Sequence, residues 1–370
     1  MKKEIIGLCA IGMLSATCSS NRPAANNEEE LIMLVGTYTS GSSKGIYTFR
    51  FNQETGVGTP LSETAVSNPS YLTLSEDGKF VYAVSEQNDT TAAVNAFAFD
   101  RQKGTLRLLN SRKTEGADPC YVATDGRRVV TANYSGGSMS VFPLQSDGSL
   151  ASIDTLFLGS ATATDADRQA TPHMHCTVFS PDGNYLFATD FSADRILKYA
   201  IHAKEETPRP LSETTEIAPG SGPRHLTFSA NGKFAYLISE LSGKVTAFSY
   251  ADGRLKEIQT ITADTVRARG SADIHLSPDG KYLYASNRLK EDGIAIFAVD
   301  ATNGTLSKVG YQLTGIHPRN FAITPNGKYL LVACRDSNVI QVFERDQATG
   351  LLTNIQKDIQ VDKPVCIRMI

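Results

Sequence analysis

Charged side chains recur at two fixed distances from a repeated glycine. Eight positions before or after this glycine stand His175, Arg224, Arg319, Glu86, Glu240, Arg288 and Arg335. An imidazole or a carboxylate can transfer a proton, and guanidinium groups can bind an anion. Brought together, these residues would suit proton transfer on an anionic substrate. The alternative is a structural network of salt bridges, because charges at the ends of buried strands must be paired or solvated.

The glycines belong to six Asp-Gly or Asn-Gly turns, each between two runs of alternating apolar residues. They are Gly78, Gly126, Gly183, Gly232, Gly280 and Gly327, which lie 47–57 residues apart. Turns of this kind predict β-hairpins. Two further strand-like runs follow each hairpin, as in "IAIFAVDATNGTLSKVGYQL". Four strands per repeat predict the blades of a β-propeller.

A seventh blade is predicted from the two ends of the chain. Residues 31–60 supply three outer strands, and the final "KPVCIRMI" supplies the innermost one. We therefore predict an all-β fold, a seven-bladed β-propeller with four antiparallel strands per blade. The C-terminal strand joins the N-terminal blade and closes the ring, so that residues 31–370 form one domain. Because the first strand of a hairpin begins where the second ends, the charged residues should surround one mouth of the channel.

Two other patterns resemble sites but have simpler explanations. His173 and His175 share a strand face and could bind a metal with Asp190 or Asp194. The repeat fixes no further ligand nearby, so we predict neither a metal nor another cofactor. The "GSSKG" segment matches Gly-x-Ser-x-Gly, but a strand rather than a helix follows it, which predicts a hairpin loop. The longest insertion, residues 154–168, is predicted to fold over the mouth as a lid.

The N-terminal segment has the pattern of an export leader. "MKKEIIGLCAIGMLSATCSSN" combines a basic start, a short apolar run and small residues. We predict a lipoprotein-type signal peptide at residues 1–17, lipidation of Cys18 and a flexible tether at residues 18–30. The alternative is an ordinary secretory signal cleaved near Ala16. The protein would then be periplasmic or anchored to a membrane, and cytoplasmic only if the leader is not processed.

The balance of charge argues against a nucleic-acid partner. The chain has 36 lysines and arginines against 39 aspartates and glutamates, a net charge of -3. A nucleic-acid-binding domain typically has a basic excess. Contact with a membrane is expected only through the lipid anchor.

The repeats resemble those of a known family. "GPRHLTFSANGKFAYLISELSGKVTAF" and "HMHCTVFSPDGNYLFATDFSADRI", with "GTYTSGSSKGIYTF" near the start, are similar to the lactonase family of seven-bladed propellers. That family includes propeller-type 6-phosphogluconolactonases and fungal carboxymuconate lactonizing enzymes. The resemblance covers nearly the whole chain after residue 30. It implies a catalytic cluster of one histidine, two arginines and one glutamate, at His175, Arg224, Arg288 and Glu240.

The resemblance implies a 6-phosphogluconolactonase-like hydrolase, which converts 6-phospho-D-glucono-1,5-lactone and water to 6-phosphogluconate. Glu240 or His175 would be the general base, and Arg224 and Arg288 would bind the oxyanion and the anionic group. The residues expected to extend the substrate pocket are Arg319, Tyr134, Tyr38 and Glu86. Two alternatives are a cycloisomerase acting on a carboxymuconate-like diacid and a non-catalytic exported propeller that binds an anionic ligand. The expected partner is a small anionic lactone, and the expected state is a monomer or weak dimer.

Overall fold

Seven antiparallel sheets form a ring in the part of the protein that the structure describes. The structure is a computed structural model, and it describes residue 1 and residues 30–201, 207–210 and 213–370. Cys18 and nearly all of the predicted leader and tether lie outside these ranges. Each sheet is one blade, and its strands follow one another in chain order from the channel outwards, except in blade 1, where the last strand of the chain is innermost. In blades 4 and 7 two short strands share the outermost place. The predicted all-β, seven-bladed propeller is thus confirmed.

Blade 1 combines the two ends of the described chain, and blades 2 to 4 follow it. Blade 1 contains β1 (Glu30–Thr37), β2 (Gly45–Asn52), β3 (Val57–Ala65) and the last strand, β30 (Pro364–Met369). Blade 2 contains β4 (Leu72–Leu74), β5 (Phe80–Ser85), β6 (Ala93–Asp100) and β7 (Thr105–Lys113). Blade 3 contains β8 (Pro119–Thr124), β9 (Arg128–Asn133), β10 (Ser138–Pro143) and β11 (Thr155–Leu158). Blade 4 contains β12 (Met174–Phe179), β13 (Tyr185–Asp190), β14 (Arg195–Ala200), β15 (Arg209–Pro210) and β16 (Thr215–Glu216).

Blades 5 to 7 repeat the same plan. Blade 5 contains β17 (Pro223–Phe228), β18 (Phe234–Ser239), β19 (Lys244–Ala251) and β20 (Arg254–Thr262). Blade 6 contains β21 (Ser271–Leu276), β22 (Tyr282–Asn287), β23 (Gly293–Val299) and β24 (Leu306–Leu313). Blade 7 contains β25 (Pro318–Ile323), β26 (Tyr329–Cys334), β27 (Val339–Arg345), β28 (Leu352–Asn354) and β29 (Ile359–Gln360). A short 3-10 helix, Arg335–Ser337, follows β26.

The burial of each strand follows its place in the blade. All six residues of β9, β18, β22 and β26, second strands of their blades, are buried. The fourth strands β3, β7 and β20 alternate between exposed and half-buried residues. Neighbouring blades pack face to face, so the apolar side chains on both sides of an inner strand leave water. The outermost strand lies at the rim, where one face stays solvated.

The last strand closes the ring as predicted. β30 pairs with β1, with Val35 opposite Ile367. On its other side, the Ile367 backbone N–H donates to the Asn320 side chain of blade 7 at 2.7 Å. An apolar cluster that includes Val35, Tyr329, Leu331 and Ile367 fills the space between blades 7 and 1. Joining the two ends of the chain in this way pairs the edge that an open sheet would expose.

The repeated Ser-x-Asp-Gly turns are built in the same way. In the turn between β21 and β22, the Ser277 hydroxyl and the Lys281 N–H both donate to Asp279, and Gly280 has φ +68°. Apart from its two chain neighbours, no described residue has an atom within 4 Å of a Cβ placed on Gly280. Backbone conformation rather than space therefore requires glycine at this position.

Replacing this glycine tests the turn. We expect Gly280→Ala to lower the free energy of unfolding by about 1 kcal/mol, because a Cβ strains the left-handed conformation. Gly280→Asn should cost less, since asparagine adopts this conformation more readily. Urea unfolding of the wild type and the two variants measures these differences. Equal stability of the alanine variant and the wild type would show that the turn does not require glycine at position 280.

Candidate active site

In four of the blades a β-bulge at the start of the innermost strand turns one side chain towards the channel mouth. In blades 3, 4, 5 and 7 the pairing between the first two strands shifts by one residue at this point. The residues at these bulges are Cys120, His175, Arg224 and Arg319. They are the residues eight positions before the hairpin glycine, except in blade 3, whose hairpin is shorter. A bulge turns a side chain out of the regular alternation of a strand and is common beside active sites.

The channel mouth holds a cavity of about 280 Å³. A volume at the small end of ligand-binding pockets suits a small molecule. Six of the eight predicted site residues line this cavity: Glu86, Tyr134, His175, Glu240, Arg288 and Arg319. The other two, Arg224 and Tyr38, are not among its lining residues, but they are hydrogen-bonded to two that are, Glu240 and Glu86. The remaining lining residues are Cys120, Arg168, Leu289, His317 and Arg335.

Three guanidinium groups surround the carboxylate of Glu240. Its Oε1 lies 2.7 Å from Arg168 Nη2, and its Oε2 lies 3.0 Å from Arg224 Nε and 3.2 Å from Arg288 Nη2. Glu240, Arg224 and Arg288 are each at most 7% exposed. One negative charge thus faces three positive charges. The cluster has a net positive charge and is largely shielded from water.

The net positive charge of this cluster affects the pKa values of Glu240 and Arg288. Burial alone would raise the pKa of Glu240, but Arg288, Arg224 and Arg168 outweigh it and lower that pKa to about 2. Burial lowers the pKa of Arg288 to about 9, with Glu240 acting in the opposite direction. At neutral pH Glu240 is therefore ionised and Arg288 is protonated. A carboxylate with so low a pKa is a weak base.

His175 presents a neutral imidazole to the same cavity. Its side chain is buried, and burial with the nearby Arg224 lowers its pKa well below the ordinary histidine value. Its Nδ1 lies 3.7 Å from Cys120 Sγ, a weak contact. Its Nε2 has no hydrogen-bond partner among the described residues. The imidazole is therefore available as a proton acceptor at neutral pH.

A second charged group lies on the opposite side of the mouth, from blades 1, 2 and 7. The Tyr38 hydroxyl donates to the Glu86 carboxylate at 3.0 Å, and Arg319 Nη2 lies 3.7 Å from the same carboxylate. The Arg319 guanidinium also lies over the Tyr38 ring, 5.6 Å from its centroid. Burial raises the pKa of Tyr38 above its usual value, so the phenol stays protonated as a donor. This group is close to neutral, in contrast to the cluster around Glu240.

The cavity residue Arg168 comes from the insertion that the sequence predicts as a lid. Part of that insertion forms β11, the outermost strand of blade 3, and only the remainder reaches the mouth. There Arg168 Nη2 also lies 3.2 Å from the Tyr134 hydroxyl. The next residue, Gln169, is fully buried and donates to the Asp194 carboxylate at 2.8 Å. This anchor makes the segment a fixed wall of the cavity rather than a loose flap.

His317 also lines the cavity and was not among the predicted site residues. Its Nε2 lies 3.3 Å from Arg288 Nη1, which donates to it, and its Nδ1 lies 3.5 Å from Asp336. It stands in the loop before β25 with φ +62°. A signal in the sequence could have found it, because His317 stands directly before an innermost strand and ten positions before Gly327, the place that His173 holds before Gly183.

The two histidines of "PHMHC" have separate surroundings. His173 stacks on the Tyr134 ring at 4.2 Å, and its Nδ1 lies 2.8 Å from the Tyr134 carbonyl oxygen. Of the carboxylates considered with them, Asp190 pairs with Arg195 at 3.0 Å and Asp194 accepts from Gln169 at 2.8 Å. In the described ranges no group of three or more His, Cys, Asp or Glu side chains is arranged to hold a metal ion. No helix among the described residues has the length and apolar character needed to cross a membrane.

The family of this chain follows from its sequence over almost the whole propeller. Residues 32–369 match the family model described as "Lactonase, 7-bladed beta-propeller". The chain belongs to this lactonase family. The family assignment agrees with the resemblance carried by the repeats.

Relatives within the lactonase family match over nearly their full lengths. A 6-phosphogluconolactonase of Formosa agariphila is 38% identical over 91% of this chain and 99% of the relative. A crystal structure from Bacteroides uniformis, provisionally named a 6-phosphogluconolactonase, is 73% identical with a TM-score of 0.92 over 92% of this chain and all of that one. The periplasmic gluconolactonase of Pseudomonas aeruginosa is 37% identical with a TM-score of 0.86 over 92% of this chain and 99% of that one.

Buried neutral histidines should make this lactonase-family propeller less stable in acid. Burial lowers the pKa of His225 to about 3 and that of His317 to about 2, whereas an unfolded histidine titrates near 6.5. Below pH 6.5 the unfolded chain binds protons that the folded chain does not, so stability falls as the pH decreases. Each such histidine contributes a slope of about 1.4 kcal/mol per pH unit.

Urea unfolding between pH 7.5 and pH 5 measures this loss. We expect the free energy of unfolding to be constant above about pH 7 and to fall by about 2 kcal/mol per buried histidine between pH 6.5 and pH 5. His317→Gln should reduce the dependence of the unfolding free energy on pH by the contribution of one histidine. Equal stability at pH 7 and pH 5 would show that these imidazoles are protonated in the folded protein.

Proposed function

We infer that this protein hydrolyses the lactone of a six-carbon sugar acid, with 6-phospho-D-glucono-1,5-lactone as the first candidate. The observation that carries the inference is the cluster at the channel mouth, where an unprotonated imidazole faces a cavity beside three guanidinium groups. The relatives named 6-phosphogluconolactonase and gluconolactonase support the same reaction. The product would be the open-chain sugar acid.

The reaction needs a base and an oxyanion site, and the cavity offers both. A water molecule bonds to the lactone carbonyl carbon as His175 Nε2 accepts its proton. The carbonyl oxygen becomes negative, and the guanidinium groups of Arg224 and Arg288 stabilise it. When the bond from that carbon to the ring oxygen breaks, the imidazolium returns its proton to the ring oxygen, which becomes a hydroxyl. The carboxylic acid then loses its proton to solvent.

The geometry favours His175 over Glu240 as the base. Both Glu240 oxygens already accept hydrogen bonds from arginines, so a water molecule would have to compete with Arg168 and Arg224 for this carboxylate. Its carboxylate is better suited to hold the three guanidinium groups in one arrangement. His175 has a free Nε2 in the cavity and is neutral at the working pH.

The charge of the cavity favours an anionic substrate. Five arginines lie in or directly behind its wall, against two glutamates and Asp336, which pairs with Arg335 at 2.7 Å. The surplus of two positive charges would attract a phosphate or carboxylate group. Arg319, Tyr134, Tyr38 and Glu86 remain the residues proposed to contact the rest of the sugar.

A panel of substrates tests the function. The purified protein is incubated with 6-phosphoglucono-1,5-lactone, glucono-1,5-lactone and carboxymuconate, and acid release is followed after subtraction of the spontaneous rate. We expect turnover of the lactones, with the phosphorylated one favoured in kcat/KM. Loss of diene absorbance from carboxymuconate would instead indicate a cycloisomerase. Thermal stabilisation by these compounds without turnover would indicate a binding protein.

Export and lipidation are proposed from the leader, which lies outside the described residues. The periplasmic name of the Pseudomonas aeruginosa relative supports export. An exported enzyme would meet lactones outside the cytoplasm, which is why the panel includes the unphosphorylated lactone. If Cys18 carries a lipid, Cys18→Ser should move the protein from the membrane fraction to the soluble fraction.

A further inference from the structure

A buried chain of hydrogen bonds lies beneath the cavity and involves residues that the proposed reaction does not use. Arg224 Nη1 lies 3.1 Å from His225 Nε2, and His225 Nδ1 lies 2.8 Å from Asp273 Oδ1. His275 Nε2 lies 2.9 Å from Asp273 Oδ2. Asp273 is 1% exposed and His225 is 5% exposed. An ionised carboxylate placed so deep in a protein is costly unless it is paired and hydrogen-bonded.

The donors in this chain fix the tautomer of His225. A guanidinium group has no acceptor atom, so Arg224 Nη1 must donate and His225 Nε2 must accept. The proton of the neutral ring is then on Nδ1, where it donates to Asp273 Oδ1. The two carboxylate oxygens are loaded unequally. Among the described residues Oδ1 accepts only from His225, whereas Oδ2 accepts from His275, the Asn320 amide and the Phe321 backbone N–H.

The same contacts fix Arg224 in place. Its Nε donates to Glu240 Oε2 at 3.0 Å, and its Nη1 donates to the Ala272 carbonyl at 2.6 Å as well as to His225. Its Nη2 has no hydrogen-bond partner among the described residues. Three contacts on two nitrogens thus leave one nitrogen for a substrate, with little freedom for the planar group to rotate.

We propose that Asp273 acts through His225 as a positioning residue for Arg224. This proposal rests on the proposed function, in which Arg224 stabilises the oxyanion. Asp273 holds the Nδ1–H tautomer of His225, so that an acceptor faces the guanidinium group. In the opposite tautomer Nε2–H would point at the Arg224 N–H groups and displace them. A carboxylate that orients an imidazole in this way is a recurrent arrangement at active sites.

Asp273→Asn gives a sharp form of the test. An amide has one oxygen and one NH2 group, and its oxygen should remain on the Oδ2 side, where three donors converge. The NH2 group then faces His225 and drives its proton from Nδ1 to Nε2. We expect kcat to fall at least about 10-fold with KM within about threefold, because the oxyanion donor is misplaced rather than removed.

Two variants of His225 provide the matched comparison. In His225→Gln the amide oxygen can accept from Arg224 while its NH2 group donates to Asp273. This variant should retain at least about a third of the kcat, whereas His225→Leu, which has neither group, should behave like Asp273→Asn. If His225 had only a structural role, His225→Gln and His225→Leu variants of equal thermal stability would have the same kcat. If Asp273→Asn does not fold, this pair still decides the proposal.

The tautomer itself can be observed without any substrate. Two-bond ¹⁵N–¹H correlations of the full-length protein at pH 7 report which ring nitrogen carries the proton, and His225→Gln assigns the signal by its disappearance. We expect Nδ1–H in the wild type and Nε2–H in Asp273→Asn. A wild-type His225 that is Nε2–H or doubly protonated would overturn the proposal, as would an unchanged kcat in folded Asp273→Asn. If the wild type hydrolyses no lactone, the function is rejected while the spectrum still reports on the positioning role.

Discussion

His175→Asn is expected to lower kcat for lactone hydrolysis by about 10²–10⁴-fold while KM changes by no more than about threefold. The asparagine amide can occupy the place of Nδ1 beside Cys120, but it has no atom at the place of Nε2. The cavity therefore keeps its shape and its arginines and loses only the proton acceptor. Steady-state kinetics on the phosphorylated lactone measure both constants.

The dependence of the rate on pH shows whether the lost group is the base. The wild-type kcat should be nearly constant from pH 6 to pH 8, because burial and Arg224 lower the pKa of His175 well below 6.5 and keep the ring neutral over this range. In His175→Asn the attacking species would be hydroxide, so the residual enzymatic rate should rise with pH. The spontaneous hydrolysis of the lactone is subtracted at each pH.

The neighbouring histidine supplies the control for this variant. His173 lies two residues earlier and stacks on Tyr134, with its Nδ1 on a backbone carbonyl oxygen. His173→Asn should keep kcat within about threefold of the wild type, since no step uses this ring. A kcat for His175→Asn within tenfold of the wild type, or a residual rate that is independent of pH, would return the role of base to Glu240.

The repeat made most of the fold predictable. Four strands per unit and six Asp-Gly or Asn-Gly turns predict the blades. The final strand of the chain completes the blade that the three N-terminal strands begin. The same register identifies the residues at the channel mouth, because equivalent positions in a symmetric ring face the same axis. Seven of the eight predicted site residues, all except Tyr38, hold such register positions.

The register could not reveal what depends on departures from the repeat. Arg168 comes from an insertion that has no equivalent in other blades, so no internal alignment predicts that it reaches Glu240. His317 and Asp273 do hold register positions, ten and seven residues before their hairpin glycines, but the register does not show which side chains at such positions make contact. The bulges that turn His175 and Arg224 into the mouth involve one extra residue each, which a pattern of apolar residues does not record.

Glu240→Gln should have the second large effect, on stability and activity together. The variant keeps the shape of the side chain but removes the negative charge that faces three guanidinium groups. Arg224 and Arg288 would remain buried with no counter-charge between them, and removing one partner of a buried ion pair costs about 3–5 kcal/mol. The same displacement of the arginines should lower kcat/KM by about 10²–10³-fold. Urea unfolding and lactone kinetics at pH 7 measure the two losses.

The charge effect has a definite dependence on pH. The pKa of Glu240 is lowered from 4.5 to about 2, so the carboxylate contributes stability above pH 4.5 that is lost as the pH falls through about 2. The difference in stability between the wild type and Glu240→Gln should therefore be full at pH 7 and should shrink between pH 4.5 and pH 2. Glu86→Gln is the matched control, because Glu86 holds the equivalent position in blade 2 but, within the described ranges, is paired only with Arg319, at 3.7 Å. It should lose less stability.

The activity of Glu240→Gln also separates a carboxylate that holds arginines from one that accepts protons. If His175 is the base, the reduced rate of Glu240→Gln keeps the flat pH dependence of the wild type, because the imidazole still removes the proton from water. If Glu240 is the base, the residual rate rises with hydroxide, as expected above for His175→Asn. A variant with wild-type kcat/KM and wild-type stability would show that neither role belongs to Glu240, and that the guanidinium groups are held by their backbone contacts alone.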